Sequence, residues 1–125
     1  MRKQYHLRPA ARGVDAWDVD RLIQMSHGLP IRQVRIESIA ELDEDHWTFD
    51  RPRRPTVREV VEHARLIRDV DVSYPIILGP DGRVVDGMHR VARALLDGRV
   101  TIAAVQLETL PQPDFRECSP DDLPY

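Results

Sequence analysis

The chain has 125 residues, and its 18 basic and 21 acidic side chains leave a net charge of −3. That length fits one domain. The charge balance counts against a nucleic-acid-binding polycation, although a local basic patch stays compatible with it. No apolar run approaches the about 18 residues that a membrane span needs. The single cysteine, Cys118, excludes an internal disulfide framework and a cysteine-rich zinc site.

The opening Met1-Arg2-Lys3-Gln4-Tyr5-His6 lacks the apolar core of a secretory leader, so a cytoplasmic location is expected. A first helix is predicted with Asp15 as cap, Asp18 three residues on, and Trp17, Leu22 and Met25 on a partly shared face. His27-Gly28-Leu29-Pro30 stops it, because Gly28 tolerates a left-handed backbone and Pro30 cannot continue a helix. Residues 1–30 therefore read as a helical N-terminal extension.

Val34 and Ile36 alternate with Arg35 and Glu37, which predicts a short strand. Ser38-Ile39-Ala40-Glu41 has capping-box spacing, with Glu41 as the far member, and predicts a helical turn. The acidic stretch Asp43-Glu44-Asp45-His46 lacks the spacing of a calcium loop and reads as a solvated turn. Trp47 and Phe49 read as core anchors, with a base-stacking platform as the less favoured alternative. His6, His27 and His63 are scattered singly, with no metal-ligand spacing.

After the link Asp50-Arg51-Pro52-Arg53-Arg54-Pro55, the segment Thr56-Val57-Arg58-Glu59 forms a capping box. Val57, Val60, Val61, Ala64, Ile67 and Val70 follow at helical spacing and predict one inward apolar stripe. Tyr74-Pro75-Ile76-Ile77-Leu78 is a compact buried strand. Gly79-Pro80-Asp81-Gly82 is a turn, and Arg83-Val84-Val85-Asp86 is the return arm of a hairpin. A helix carrying Val91, Ala92, Leu95 and Leu96 follows and ends at Gly98. Thr101 to Leu107 is a last strand. Strands and helices mix around a hairpin, so the predicted class is α+β. Residues 31–108 form the domain. Residues 109–125, dense in proline, are an extended strap or a mobile end, and the apolar Leu123-Pro124-Tyr125 favours docking.

Asp86-Gly87-Met88-His89-Arg90 carries the chemistry. A strand ends, a glycine turns, and a helix starts with unpaired amides and the positive end of its dipole. Gly87 lets an anion approach the backbone, and His89 and Arg90 place one tunable and one permanent cation beside it. That is a phosphate-binding design. Asp86, a carboxylate at such a site, is a candidate to hold a divalent metal, accept a substrate proton or orient His89. The plainer reading is a common strand-glycine-helix turn with solvated polar side chains.

Pro75-Ile76-Ile77-Leu78, the Pro-Asp-Gly turn, Val85-Asp86-Gly87-Met88-His89-Arg90 and the helix with Ala92 and Ala94 resemble the ParB/sulfiredoxin-like superfamily over roughly residues 31–108. The turn is closest to the Asp-Gly-x-His-Arg members, which include free-serine kinases. The resemblance implies a small mixed sheet with packed helices and a nucleoside di- or triphosphate with Mg²⁺. It also implies phosphate contacts from Gly87, the Met88 backbone, His89 and Arg90, an acid/base or metal role for Asp86, and a catalytic role for His89. By the same likeness Arg53 or Arg54, with Thr56 beside them, would face the nucleotide; a solvated basic linker is the favoured alternative. Sulfiredoxins carry a reacting cysteine where this chain has Met88, and a thioether cannot form that intermediate, so peroxiredoxin-type repair chemistry is excluded. Residues after 108 leave no room for a helix-turn-helix, which weakens the ParB clamp reading. Two functions follow: a small phosphotransferase acting on a hydroxyl-bearing substrate, or a non-catalytic nucleotide-binding switch with a protein partner. DNA binding or nuclease action is third, disfavoured by the net charge.

Overall fold

The computed structural model describes residues 3–51 and 53–125; Pro52 of the proline-rich link and Met1 and Arg2 lie outside them. The chain is α+β, as its alternation of patterns predicts. Two antiparallel strands, β1 (Tyr5–Pro9) and β2 (Val14–Asp18), precede α1 (Val19–Ser26). β3 (Arg32–Arg35) leads into two 3₁₀ turns, Ile36–Ser38 and Ala40–Asp43. Then come α2 (Val57–Asp69), β4 (Ile76–Leu78), β5 (Val84–Asp86), α3 (Met88–Leu96) and β6 (Thr101–Gln106). β7 (Phe115–Cys118) and a last 3₁₀ turn, Pro120–Asp122, complete the described chain.

The larger sheet has the order β3-β6-β4-β5. β4 and β6 run parallel, while β3 with β6 and β4 with β5 run antiparallel. Successive residues of a strand point to opposite faces. Ile76, Leu78, Val84 and Ala104 therefore join Met88, Val91 and Ile39 in one apolar cluster. Ile77, Val85, Val105 and Leu107 join Trp17 and Leu22 in a second. An unbroken apolar run such as Ile76-Ile77-Leu78 is what a strand covered on both faces requires. One cover is α3 with the 3₁₀ turns. The other is the N-terminal segment.

That segment differs from the predicted helical extension. Residues 14–18 are β2, and the helix begins only after Asp18, whose side chain accepts the Asp20 amide at 2.9 Å. Asp15, predicted as the cap, lies in the strand. Gly28, at φ 82°, follows the helix end as expected. β2 is the centre of a second sheet, β1-β2-β7, so the proline-rich tail is an extended strap that closes on the N-terminus. The Trp17 indole donates to the Pro111 carbonyl at 2.7 Å, and Asp114 accepts the Asp18 amide at 2.7 Å. Leu123, 5% exposed, anchors the end.

Two capping boxes resolve differently. Thr56 accepts the Glu59 amide at 3.3 Å, but the Glu59 carboxylate takes the Arg53 guanidinium at 2.6 Å rather than the Thr56 backbone amide. Ser38 donates to the Arg35 carbonyl, and Glu41 is buried and accepts the Val84 amide on the outer edge of β5. Glu41 therefore satisfies a sheet edge instead of closing a capping box. β3 also ends at Arg35, two residues short of the predicted alternation, and Ile36 turns into the core at 2% exposure.

The predicted inward stripe of α2 faces outward: Val57, Val60 and Val61 are 81%, 55% and 48% exposed. Ala64 is exposed too; of the predicted stripe only Ile67 and Val70 are half-covered, and they share that partial cover with Glu59 and His63 rather than with the valines.

Leu123→Ala removes the buried anchor of the strap. It is expected to cost about 2–3 kcal/mol in urea unfolding and to expose residues 109–125 to proteolysis ahead of the rest. An unchanged midpoint would mean that the strap adds nothing to the fold.

Candidate functional site

The strand-glycine-helix turn is built as its residues predict. β5 ends at Asp86, Gly87 takes φ 108° and ψ 20°, and α3 starts at Met88 with no side chain capping it. A Cβ on Gly87 would lie 2.7 Å from Arg90 Nη2 and 2.8 Å from Ile76 Cγ2, so glycine is required for space as well as for φ. The first helical bond runs from the Val91 amide to the Gly87 carbonyl, which leaves the amides of Met88, His89 and Arg90 without helical acceptors.

The turn opens on a cleft of about 820 Å³ between α1, the end of α2 and the β4–β5 hairpin. Its walls include Ile23, Leu29, Leu66, Tyr74 and Ile77. Its polar end includes Asp86, Gly87, His89 and Arg90. The site therefore pairs an amide-lined, dipole-positive pole with apolar walls. Such a combination suits a ligand with an anionic head and a ring or chain behind it.

Arg90 folds back over Gly87 and reaches Asp86 at 2.9 Å, both side chains less than one-fifth exposed. Its Nε is buried and has no hydrogen-bond partner. Met88 sends its side chain into the core and offers the site only its backbone.

His89 does not act as the tunable cation that the sequence suggested. Its Nε2 lies 2.9 Å from Nδ1 of His63, so one ring donates and the other accepts. Both imidazoles stack on Trp47, at centroid distances of 4.7 Å for His89 and 4.5 Å for His63. Burial, with His63 and His46 nearby, pushes the His89 pKa down to about 4. Burial lowers that of His63 as well. Both shifts disfavour the imidazolium, so among the described residues the permanent cation at the turn is Arg90.

Arg54 and Thr56 do not join the turn. Arg54 is exposed, Thr56 caps α2, and neither lines the cleft. Arg53 is taken by Glu59. Among the described residues no group of three metal-ligating side chains gathers here or elsewhere. The partners that sequence reasoning missed are His63 and the walls from α1 and α2. His63 was legible only as a member of the Glu59-His63-Ile67 spacing, which carries no apolar signature to mark it as inward. Comparison of the chain with protein-family models, with curated proteins and with solved structures finds no match.

The depressed imidazoles fix a pH dependence. His89 at about 4 and the buried His6 at about 3 both lie below the ordinary value near 6.5. The unfolded chain therefore takes up protons first, and the stability contributed by neutral imidazole is complete above about pH 6.5 and lost as pH falls toward 4. The urea midpoint is expected to drop between pH 6.5 and 5, above the range where carboxylates titrate. In the His63→Leu/His89→Met double variant that slope becomes shallower; an identical slope would deny the pair its place in acid sensitivity.

Proposed function

We propose that the chain binds a nucleoside di- or triphosphate, with its phosphates at the N-terminus of α3. One observation carries the reading: at an uncapped helix start, the Arg90 guanidinium lies over Gly87 with Nε buried and unpartnered. A buried donor without an acceptor is costly, and an outward swing of the guanidinium would give it a phosphate oxygen at the turn. The amides of Met88, His89 and Arg90 supply further donors, and the helix dipole favours the negative charge. The apolar walls behind the turn suit a sugar and base. The likeness of residues 75–94 to ParB/sulfiredoxin-like turns points the same way.

Mg²⁺ commonly binds through substrate phosphates with one or two carboxylates. Asp86 is the carboxylate beside this turn, so it fits an ion that arrives with the nucleotide.

Between the two uses of such a site, a switch module is the better supported. Both catalytic candidates are held: Asp86 by Arg90, and His89 by His63. Phosphoryl transfer to a small hydroxyl-bearing substrate is the second reading. A phosphate that draws Arg90 away would release Asp86 to accept the hydroxyl proton.

A thermal-shift series with ATP, ADP, CTP and GTP in Mg²⁺ tests the proposal. A nucleotide at about a hundred times its Kd is expected to add about 2.7 kcal/mol to the parent, a shift of several degrees. Arg90→Ala is expected to lose that shift. Should no nucleotide move the parent, or should Arg90→Ala respond as the parent does, the site is assigned wrongly. Product analysis with hydroxyl acceptors then separates transfer from binding.

A further inference from the structure

Glu41 is the one buried carboxylate residue among those described, at 3% exposure. It sits in the second 3₁₀ turn, and its Oε2 accepts the Val84 amide at the outer edge of β5. That is the carboxylate's only hydrogen bond among the described residues, and its second oxygen is not one of the buried unpartnered atoms, so it opens onto free space. A carboxylate oxygen that faces open space without a protein donor is available to a donor from a ligand.

Glu41 lines a second pocket, of about 430 Å³, which shares no residue with the α3 cleft. The other walls include His46, Phe49, Leu7, Val84 and Arg83. The two cations at this pocket are already matched. Arg83 makes a forked pair with Glu44, and Arg8 pairs with Asp81 at 2.7 Å. Arg8 also donates to His6 Nε2 at 2.9 Å, which keeps that nitrogen unprotonated. Asp45 accepts from the Thr48 amide and hydroxyl. Glu41 is thus left without a cation of its own, although Arg83 lies close enough to feel it.

His46 does not supply that cation. Burial lowers its pKa, and Arg83 lowers it further, against the opposing pull of Glu41 and Glu44. That shift disfavours the imidazolium, so the ring offers this pocket an acceptor nitrogen. Phe49 adds an aromatic wall, a surface that attracts cations. A metal ion is a poor match, since no three ligating side chains converge among the described residues.

We propose that this pocket binds a small organic monocation, a primary ammonium group, with Glu41 as counterion, the His46 ring accepting a second N–H and Phe49 alongside. The volume falls in the range of small-molecule sites, and the apolar walls allow a short carbon chain behind the head group. The proposal does not depend on nucleotide binding at α3.

The test is a titration of the intact chain with n-butylammonium chloride, read in ¹H–¹⁵N spectra at about pH 7.5, where the histidines of the pocket are neutral. Sodium butyrate and tetramethylammonium chloride at equal ionic strength serve as controls. Saturable shifts at the Val84 amide and at His46 are expected with butylammonium. Butyrate is expected to give none, and tetramethylammonium, which has no N–H to donate, far weaker ones. Glu41→Gln, which keeps the shape and removes the charge, is expected to weaken binding about tenfold. His46→Ala, at a half-buried position, gives a second reading if Glu41→Gln does not fold. Absence of saturation up to about 50 mM, equal shifts with tetramethylammonium, or parent-like affinity in whichever variant folds overturns the proposal.

Discussion

The central strand β4 must be covered on both faces, and the rest of the architecture answers that requirement. Ile76, Ile77 and Leu78 are each at most 4% exposed, and strand geometry sends them alternately to opposite sides. A chain of this length has little material to spare for two apolar covers. α3 and the 3₁₀ turns supply one. The other is assembled from β2 and α1, and it is held down by a tail that would otherwise have no partner. Burial at about 25 cal/mol per Å² makes such covering the largest favourable contribution available to a small domain.

The same constraint positions the chemistry. β5 pairs with β4 and must hand over to α3 in a single residue so that α3 lies on the β4 face. Gly87 makes that turn, and no other side chain fits against Arg90 and Ile76. The helix start is consequently uncapped and open to the cleft, while Asp86 and Arg90, four residues apart, meet across it. A site with a dipole-positive pole and an apolar body emerges from the way the strand is covered. No dedicated loop is needed.

α2 shows where local pattern and tertiary packing part. Its valines repeat at helical spacing, yet they face solvent, because other contacts decide its rotation. The His63–His89 bond, their shared stacking on Trp47 and the Arg93 bond to the Arg68 carbonyl at 2.6 Å turn a different face inward. A stacked, hydrogen-bonded pair has defined geometry, whereas an apolar stripe has only a direction.

Local sequence signals carry the α+β class, the β4–β5 hairpin, the start and end of α3, the capping of α2 by Thr56 and the Gly87 turn. Each rests on interactions within a few residues: glycine where φ is positive, a hydroxyl three positions from an amide, an apolar run of strand length. Tertiary structure alone decided that residues 14–18 are strand, that the tail closes the second sheet, that Glu41 reaches β5, and that His89 joins His63 and Trp47 as a neutral ring. Those outcomes join groups far apart in the chain, and pairing between distant segments leaves no periodic trace in either one. The ionisation of His89 shows it most directly. Its identity is written at one position, but its charge is set by burial and by an imidazole 26 residues away.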